Sequence, residues 1–208
     1  QECIMEEAIG SKISDYLIKP VNPNQILLSI KKNLKSLELV HNKTNQDYQK
    51  EFLEIGSMIT KVESFQHWVD LYKKIIYWEL ELDDLDEKSM LDILLTQKKE
   101  ANNYFFKYVK KHYKNWINNN HNQHMIMSHN VFSQFVLPEL DEKKPIFFLV
   151  VDNLRLDQWK IIQPLLDPYF LIKENAYCSI LPTSTQYARN AIFSGLTPLE
   201  IKDKLNSI

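Results

Sequence analysis

The sequence predicts an α/β protein with a helical middle, and three observations carry that expectation. Residues 146–151, Ile-Phe-Phe-Leu-Val-Val, are an unbroken apolar run of the kind found in a strand buried on both faces. After it the pattern gives a helix, a second strand over 169–178 and another helix, an order that implies an α/β sheet. Between Pro23 and Pro138 there is no proline, and the only glycine is Gly56, so long helices are expected there.

Taken in order, Ile4, Met5, Ala8 and Ile9 have helical spacing, and Gly10 stops that helix. Residues 15–20, Asp-Tyr-Leu-Ile-Lys-Pro, read as a short strand ended by Pro20, which has no N–H to give to a ladder. Asn22 as N-cap and Pro23 at the first position open the next helix, with Ile26, Leu27, Ile30 and Leu34 as its apolar face. Three apolar stripes follow. They are Leu34, Leu37, Tyr48, Phe52 and Ile55; then Phe65, Trp68, Val69, Tyr72, Ile75 and Ile76; then Met90, Leu94, Ala101, Phe105, Tyr108 and Trp116. Three amphipathic helices predict a small bundle. Ser128 reads as the cap of a short helix carrying Val131, Phe132, Phe135 and Val136. The expected units are residues 1–36, a helical bundle over 37–140, and an α/β unit over 141–208.

Composition excludes several classes of function. The net charge of −2 gives no basic field for nucleic acid. Cys3 and Cys178 stand far apart with no CxxC spacing, which argues against a thiolate zinc site and fits free thiols in a reducing cytoplasm. No apolar segment reaches membrane-spanning length, so no membrane partner is expected. The start lacks an initiator Met and a signal pattern, so we expect a middle piece of a longer cytoplasmic protein.

Two turns carry chemistry. Asp152 directly follows the apolar run, the strand-end position where open α/β sheets bind ligands; it reads either as a cation ligand or as the cap of the next helix. Residues 181–186, Leu-Pro-Thr-Ser-Thr-Gln, put three hydroxyls ahead of a helix. The positive end of a helix favours an alkoxide or a bound phosphate there, and a metal would sharpen that effect. The alternative is ordinary N-capping by Thr183 or Ser184. The two arginines of the chain, Arg155 and Arg189, both lie beside these turns. Their rigid fork suits phosphate or carboxylate, and Asp157 is placed to pair with one of them.

The motifs resemble known families. Residues 148–157, Phe-Leu-Val-Val-Asp-Asn-Leu-Arg-Leu-Asp, and the turn 181–185 with Ser194-Gly195 look like the PglZ branch of the alkaline phosphatase superfamily. That resemblance implies Asp152 as a metal ligand and Thr185 as a metal-bound nucleophile, with Thr183 as the alternative if the turn is registered differently. Residues 15–20 resemble the last strand of a two-component receiver domain. This implies that Lys19 contacts the phosphorylated site, that the bond to Pro20 is cis, and that Tyr16 is the switch aromatic. A receiver end, a helical bundle and a PglZ start, in that order, resemble the PorX-like response regulators of type IX secretion.

The resemblance implies a zinc-dependent phosphodiesterase or phosphatase acting on a nucleotide. It also implies a homodimer through the receiver face, a sensor histidine kinase upstream, and a transcription or secretion partner. The sequence departs from that pattern. No phospho-accepting aspartate precedes Lys19 in the expected place, and no histidine follows His129, so the expected zinc ligand set is incomplete and this piece alone is expected to be inactive. The alternative is a non-catalytic interaction module that uses the receiver face and the bundle.

Overall fold

The structure, a computed structural model, describes residue 17 and residues 23–85, 88–118, 125–140 and 145–206. The predicted helix over 4–9, the strand over 15–20 apart from Leu17, and Tyr16, Lys19 and Pro20 lie outside the described residues.

The three apolar stripes lie on three long helices: α1 (Pro23–Lys61), α2 (Phe65–Asp84) and α3 (Lys88–Asn118). Pro23 stands at the start of α1, where its fixed φ suits a helix and its missing N–H costs nothing. Ser64 caps α2; its hydroxyl accepts the His67 N–H at 3.3 Å. The three helices pack pairwise around Tyr48, Ile55, Ile59, Leu71, Ile75, Leu82 and Leu94, all at most 1% exposed.

Gln97 is a polar residue buried in this core and it is satisfied, whereas the buried Trp68 Nε1 has no hydrogen-bond partner among the described residues. Gln97 of α3 donates to the Phe52 carbonyl of α1 at 2.9 Å and accepts from the Tyr48 hydroxyl at 3.3 Å. Burial pushes the Tyr48 phenol up to about 12, so it stays a neutral donor. An aromatic seam runs down the α2–α3 contact: Trp68 meets Phe105 with ring centroids 5.3 Å apart, and Tyr108 meets Trp116 at 5.6 Å. The first third of α1 stays uncovered, with Leu27, Leu28 and Leu34 exposed.

The C-terminal part departs from the predicted α/β sheet. Among the described residues there is no strand; the one piece of β pairing is an isolated parallel bridge between Met127 and Cys178. A strand exists only through hydrogen bonds to a neighbour. Residues 146–151 have none of the regular ladder, and Phe147 and Leu149 lie 83% and 77% exposed. The continuous apolar run signals burial on two faces, and here neither face is covered. Phe148 is the exception, lying edge-on between Phe132 and Phe193.

What is present is helical. A run that is 3-10 over Ser128–Asn130, π over Phe132–Val136 and 3-10 over Leu137–Glu139 precedes α4 (Leu156–Leu166), α5 (Thr185–Ser194) and α6 (Pro198–Asn206). Gly195 ends α5 in the left-handed region (φ 67°), returning its N–H to the Ala191 carbonyl at 3.0 Å.

Two features join this part to the long helices. Met127, Cys178, Ile180 and Ala191 make a small second core, packed against Phe65, Tyr113, Trp116 and Ile117 of α2 and α3. Glu174 receives Lys160 of α4 at 2.5 Å, Lys73 of α2 at 2.9 Å and the Trp159 indole N–H at 2.8 Å. Those donors, Lys160 foremost, hold its carboxyl down to about 2.

Leu71→Ala should lower the unfolding free energy by about 2–5 kcal/mol in urea titrations, because the cavity sits in a closed core. Leu53→Ala, at a position 74% exposed, should change it by less than ~0.5 kcal/mol. Equal effects would contradict this placement of α1 and α2. For Glu174, the depressed carboxyl contributes stability that is full above its ordinary 4.5 and is lost as pH falls toward about 2. Glu174→Gln should therefore cost about 1 kcal/mol at neutral pH. Melting curves of the two proteins should converge only as pH falls through about 2, and a gap that persists below that would count against the ion-pair account.

Candidate functional site

The first turn is set by backbone geometry. Asn153 has φ 59°, a left-handed conformation that asparagine tolerates, and it turns the chain sharply after Asp152. α4 then starts with Arg155 as its N-cap, and the Arg155 N–H donates to Gln158 Oε1 at 3.1 Å. Asp152 is therefore not the cap of this helix. Its carboxylate is half-exposed and lies 3.9 Å from the Arg189 guanidinium of α5.

Arg155 and Asp157 turn toward each other. The Arg155 fork makes contacts of 3.0, 3.3 and 2.7 Å to the two Asp157 oxygens. This fork holds the Asp157 carboxyl down to about 2 and raises the guanidinium. Of the two arginines, the one that pairs with Asp157 is thus Arg155, and the one that reaches Asp152 is Arg189.

The second turn is held from behind. The buried Ile180 N–H donates to the fully buried Ser128 hydroxyl at 3.1 Å, and the Leu181 N–H donates to the Tyr113 hydroxyl at 2.7 Å. A cis Leu181–Pro182 bond follows, and then Thr183, Ser184 and Thr185. Ser184 is the N-cap of α5 through its backbone: its carbonyl accepts from Tyr187 and Ala188 at 2.9 and 3.0 Å. Its side chain makes no capping bond, so that hydroxyl is not consumed by the helix end. Thr185 is the first residue of α5, and Arg189 lies one turn further on the same face.

The structure thus brings Asp152 to the first turns of α5, through Arg189. Arg155 and Asp157 form a separate pair at the start of α4. A cavity of about 420 Å³, lined by Trp68, Tyr72, Phe105, Leu156 and Tyr177 among others, includes none of Asp152, Thr185 or Arg189.

Among the described residues no three histidine, cysteine, aspartate or glutamate side chains converge as a metal site. Asp152 and Thr185 supply two oxygen donors, fewer than a tetrahedral zinc site requires, so these residues do not fit a complete zinc centre.

Sequence reasoning missed Tyr113 altogether, and read Ser128 as a helix cap rather than as the acceptor for Ile180. Their partners lie 68 and 52 residues away, and no local spacing encodes that.

Comparison with known families agrees with the order of segments. Residues 38–117 match the PorX response regulator linker domain, and residues 131–208 match the BREX system PglZ alkaline phosphatase-like domain. No curated protein matched the chain. The two matches, in this order, fit the resemblance to a PorX-like linker followed by a PglZ domain. The alkaline phosphatase-like match points to metal dependence in general. Among the described residues no helix is long and apolar enough to cross a membrane.

Ser128→Ala should lower the unfolding free energy by about 1–3 kcal/mol, because it strands the Ile180 N–H away from water. Differential scanning calorimetry reads this directly; an unchanged melting temperature would contradict the buried bond.

Proposed function

We propose that this chain, which joins a segment similar to the linker of PorX response regulators to one similar to the PglZ alkaline phosphatase-like domain, serves phosphoryl transfer on a nucleotide phosphodiester or phosphomonoester. One observation carries the reading: the 3.9 Å approach of Asp152 to Arg189 brings the first turn to the helix that begins with Thr185.

In this reading the Thr185 oxygen attacks phosphorus. A new phosphorus–oxygen bond forms as the bond to the leaving oxygen breaks, and the hydroxyl proton passes to solvent. Water then releases the phosphoryl group from Thr185. The N-terminal end of α5 stabilises negative charge on the attacking and equatorial oxygens, by about 0.3–1 kcal/mol for an exposed helix end. Arg189 is placed to contact an equatorial oxygen, which needs only a change of partner from Asp152. Arg155, with its fork closed on Asp157, braces the start of α4.

The metal of this reading is zinc. Asp152 and Thr185 contribute to a centre that they do not complete. The protein as a whole would be a cytoplasmic response regulator of type IX secretion, dimeric through its receiver face and addressed by a sensor histidine kinase. The competing reading is a partner-binding scaffold. It is favoured by one observation, that the Asp152 carboxylate already faces a cation.

In the full-length protein, Thr185→Val should abolish turnover of a nucleotide phosphodiester while the circular dichroism spectrum is unchanged. Thr183→Val should retain it. Undiminished turnover in the Thr185 variant would remove Thr185 as nucleophile. Zinc measured by mass spectrometry should fall in Asp152→Ala relative to the unmodified protein. No zinc and no turnover in the unmodified protein would select the scaffold.

A further inference from the structure

We infer that Tyr113 is a positioning residue for the turn that carries Thr185, through which the last long helix of the linker-like segment sets the geometry of the candidate nucleophile. The inference rests on the phosphoryl-transfer reading. It goes beyond it by assigning a residue outside the phosphatase-like segment to the same site.

Tyr113 lies on α3, within the segment matched to the response regulator linker, and Leu181 lies within the segment matched to the phosphatase-like domain. At 2.7 Å, the bond from the Leu181 N–H to the Tyr113 oxygen is short for an N–H donor. The Tyr113 ring is partly buried against Met127, Cys178, Ile180 and Ala191, so its hydroxyl is held by packing and is not free to follow the turn. Only three residues lie between Leu181 and Thr185. Reactive geometry tolerates displacements well under 1 Å, so an anchor this close fixes where the hydroxyl stands.

The two anchors of the turn differ in kind. Ser128 satisfies a buried N–H, and its loss strands a polar group. The Leu181 residue is half exposed, so water can replace the phenol oxygen when that is removed. Loss of the Tyr113 hydroxyl should therefore loosen the turn without unfolding the protein. Tyr113→Phe is the clean change, because the ring that packs in the second core is kept.

The test uses the full-length protein with Tyr113→Phe beside Thr185→Val. Amide hydrogen exchange at Leu181 should speed up by about tenfold, the factor given by one ordinary net hydrogen bond. With a nucleotide phosphodiester, kcat should fall by about tenfold or more while KM and the melting temperature stay near their original values. Unchanged exchange at Leu181 would overturn the inference, whatever turnover does. So would unchanged kcat in Tyr113→Phe when Thr185→Val has lost activity, and in that case the phosphoryl-transfer reading stands. If Thr185→Val keeps full turnover, the reading of the site fails by itself. A kcat loss accompanied by an equal drop in thermal stability, as expected of Ser128→Ala, would mark Tyr113 as structural and overturn its positioning role.

Discussion

The small core of Met127, Cys178, Ile180 and Ala191 is the contact on which the C-terminal half depends. Met127 and Ala191 are completely buried, and the core closes only because Phe65, Tyr113, Trp116 and Ile117 of the long helices form its other wall. The Cys178 N–H donates to the Ile126 carbonyl at 2.8 Å, which fixes the chain entering the hydroxyl turn. Burial raises the Cys178 thiol to about 11, so this cysteine serves as a packing residue and not as a nucleophile. Without that wall, residues 176–181 would have one bridge and no ladder to hold them. The candidate site thus takes its shape from helices that contribute nothing to its chemistry.

Asp152 and Arg189 show how little the electrostatics alone decide. At 3.9 Å with both side chains about half exposed, the pair contributes at most about 1 kcal/mol. That weakness is a requirement of the proposed role, since either group can leave the other for a phosphate or a cation at small cost. Arg155 and Asp157 contrast with this. Their fork geometry uses both carboxylate oxygens and fixes both side chains, so the pair orders the start of α4 and is poorly suited to exchange partners.

The helices were legible in the sequence because helical burial repeats locally. The stripes through Tyr48 and Ile55, Trp68 and Ile75, and Leu94 and Ala101 mark core positions three, four and seven residues apart. The start of α5 was legible too, from the hydroxyl turn. The sheet was misread because an apolar run such as 146–151 states a demand for cover and does not supply a hydrogen-bonding neighbour. Asp152, Arg155, Asp157, Thr185 and Arg189 could be singled out by residue type and position. Which arginine reaches Asp152 was beyond reach, because residue spacing gives no direction to a side chain. Tyr113 and Ser128 were hidden for the same reason as the sheet: their roles are contacts across more than fifty residues.

The two cores also differ in how they meet acid. Of the polar side chains of the long-helix bundle, the buried Gln97 and Tyr48 phenol carry no charge that changes below neutral pH, and the ion pairs of Lys74 with Glu51 and Glu54 and of Lys98 with Glu79 lie at its partly exposed edge. The junction does carry such groups. His129 is buried with its Nδ1 unpartnered, and burial lowers its affinity for a proton, with Glu200 opposing. Above its ordinary 6.5 this imidazole is neutral folded or unfolded, and proton uptake adds no cost. Below it the unfolded chain takes up the proton that the folded chain resists, so stability falls as pH falls. The Glu174 contribution is lost later, between 4.5 and about 2. Both effects have the same sign, and both act in the C-terminal part: His129 beside the buried Ser128 that holds the hydroxyl turn, Glu174 where α4 meets α2. Acid should therefore loosen the second core, and with it the placement of Thr185, while the bundle around Leu71 and Ile75 still holds.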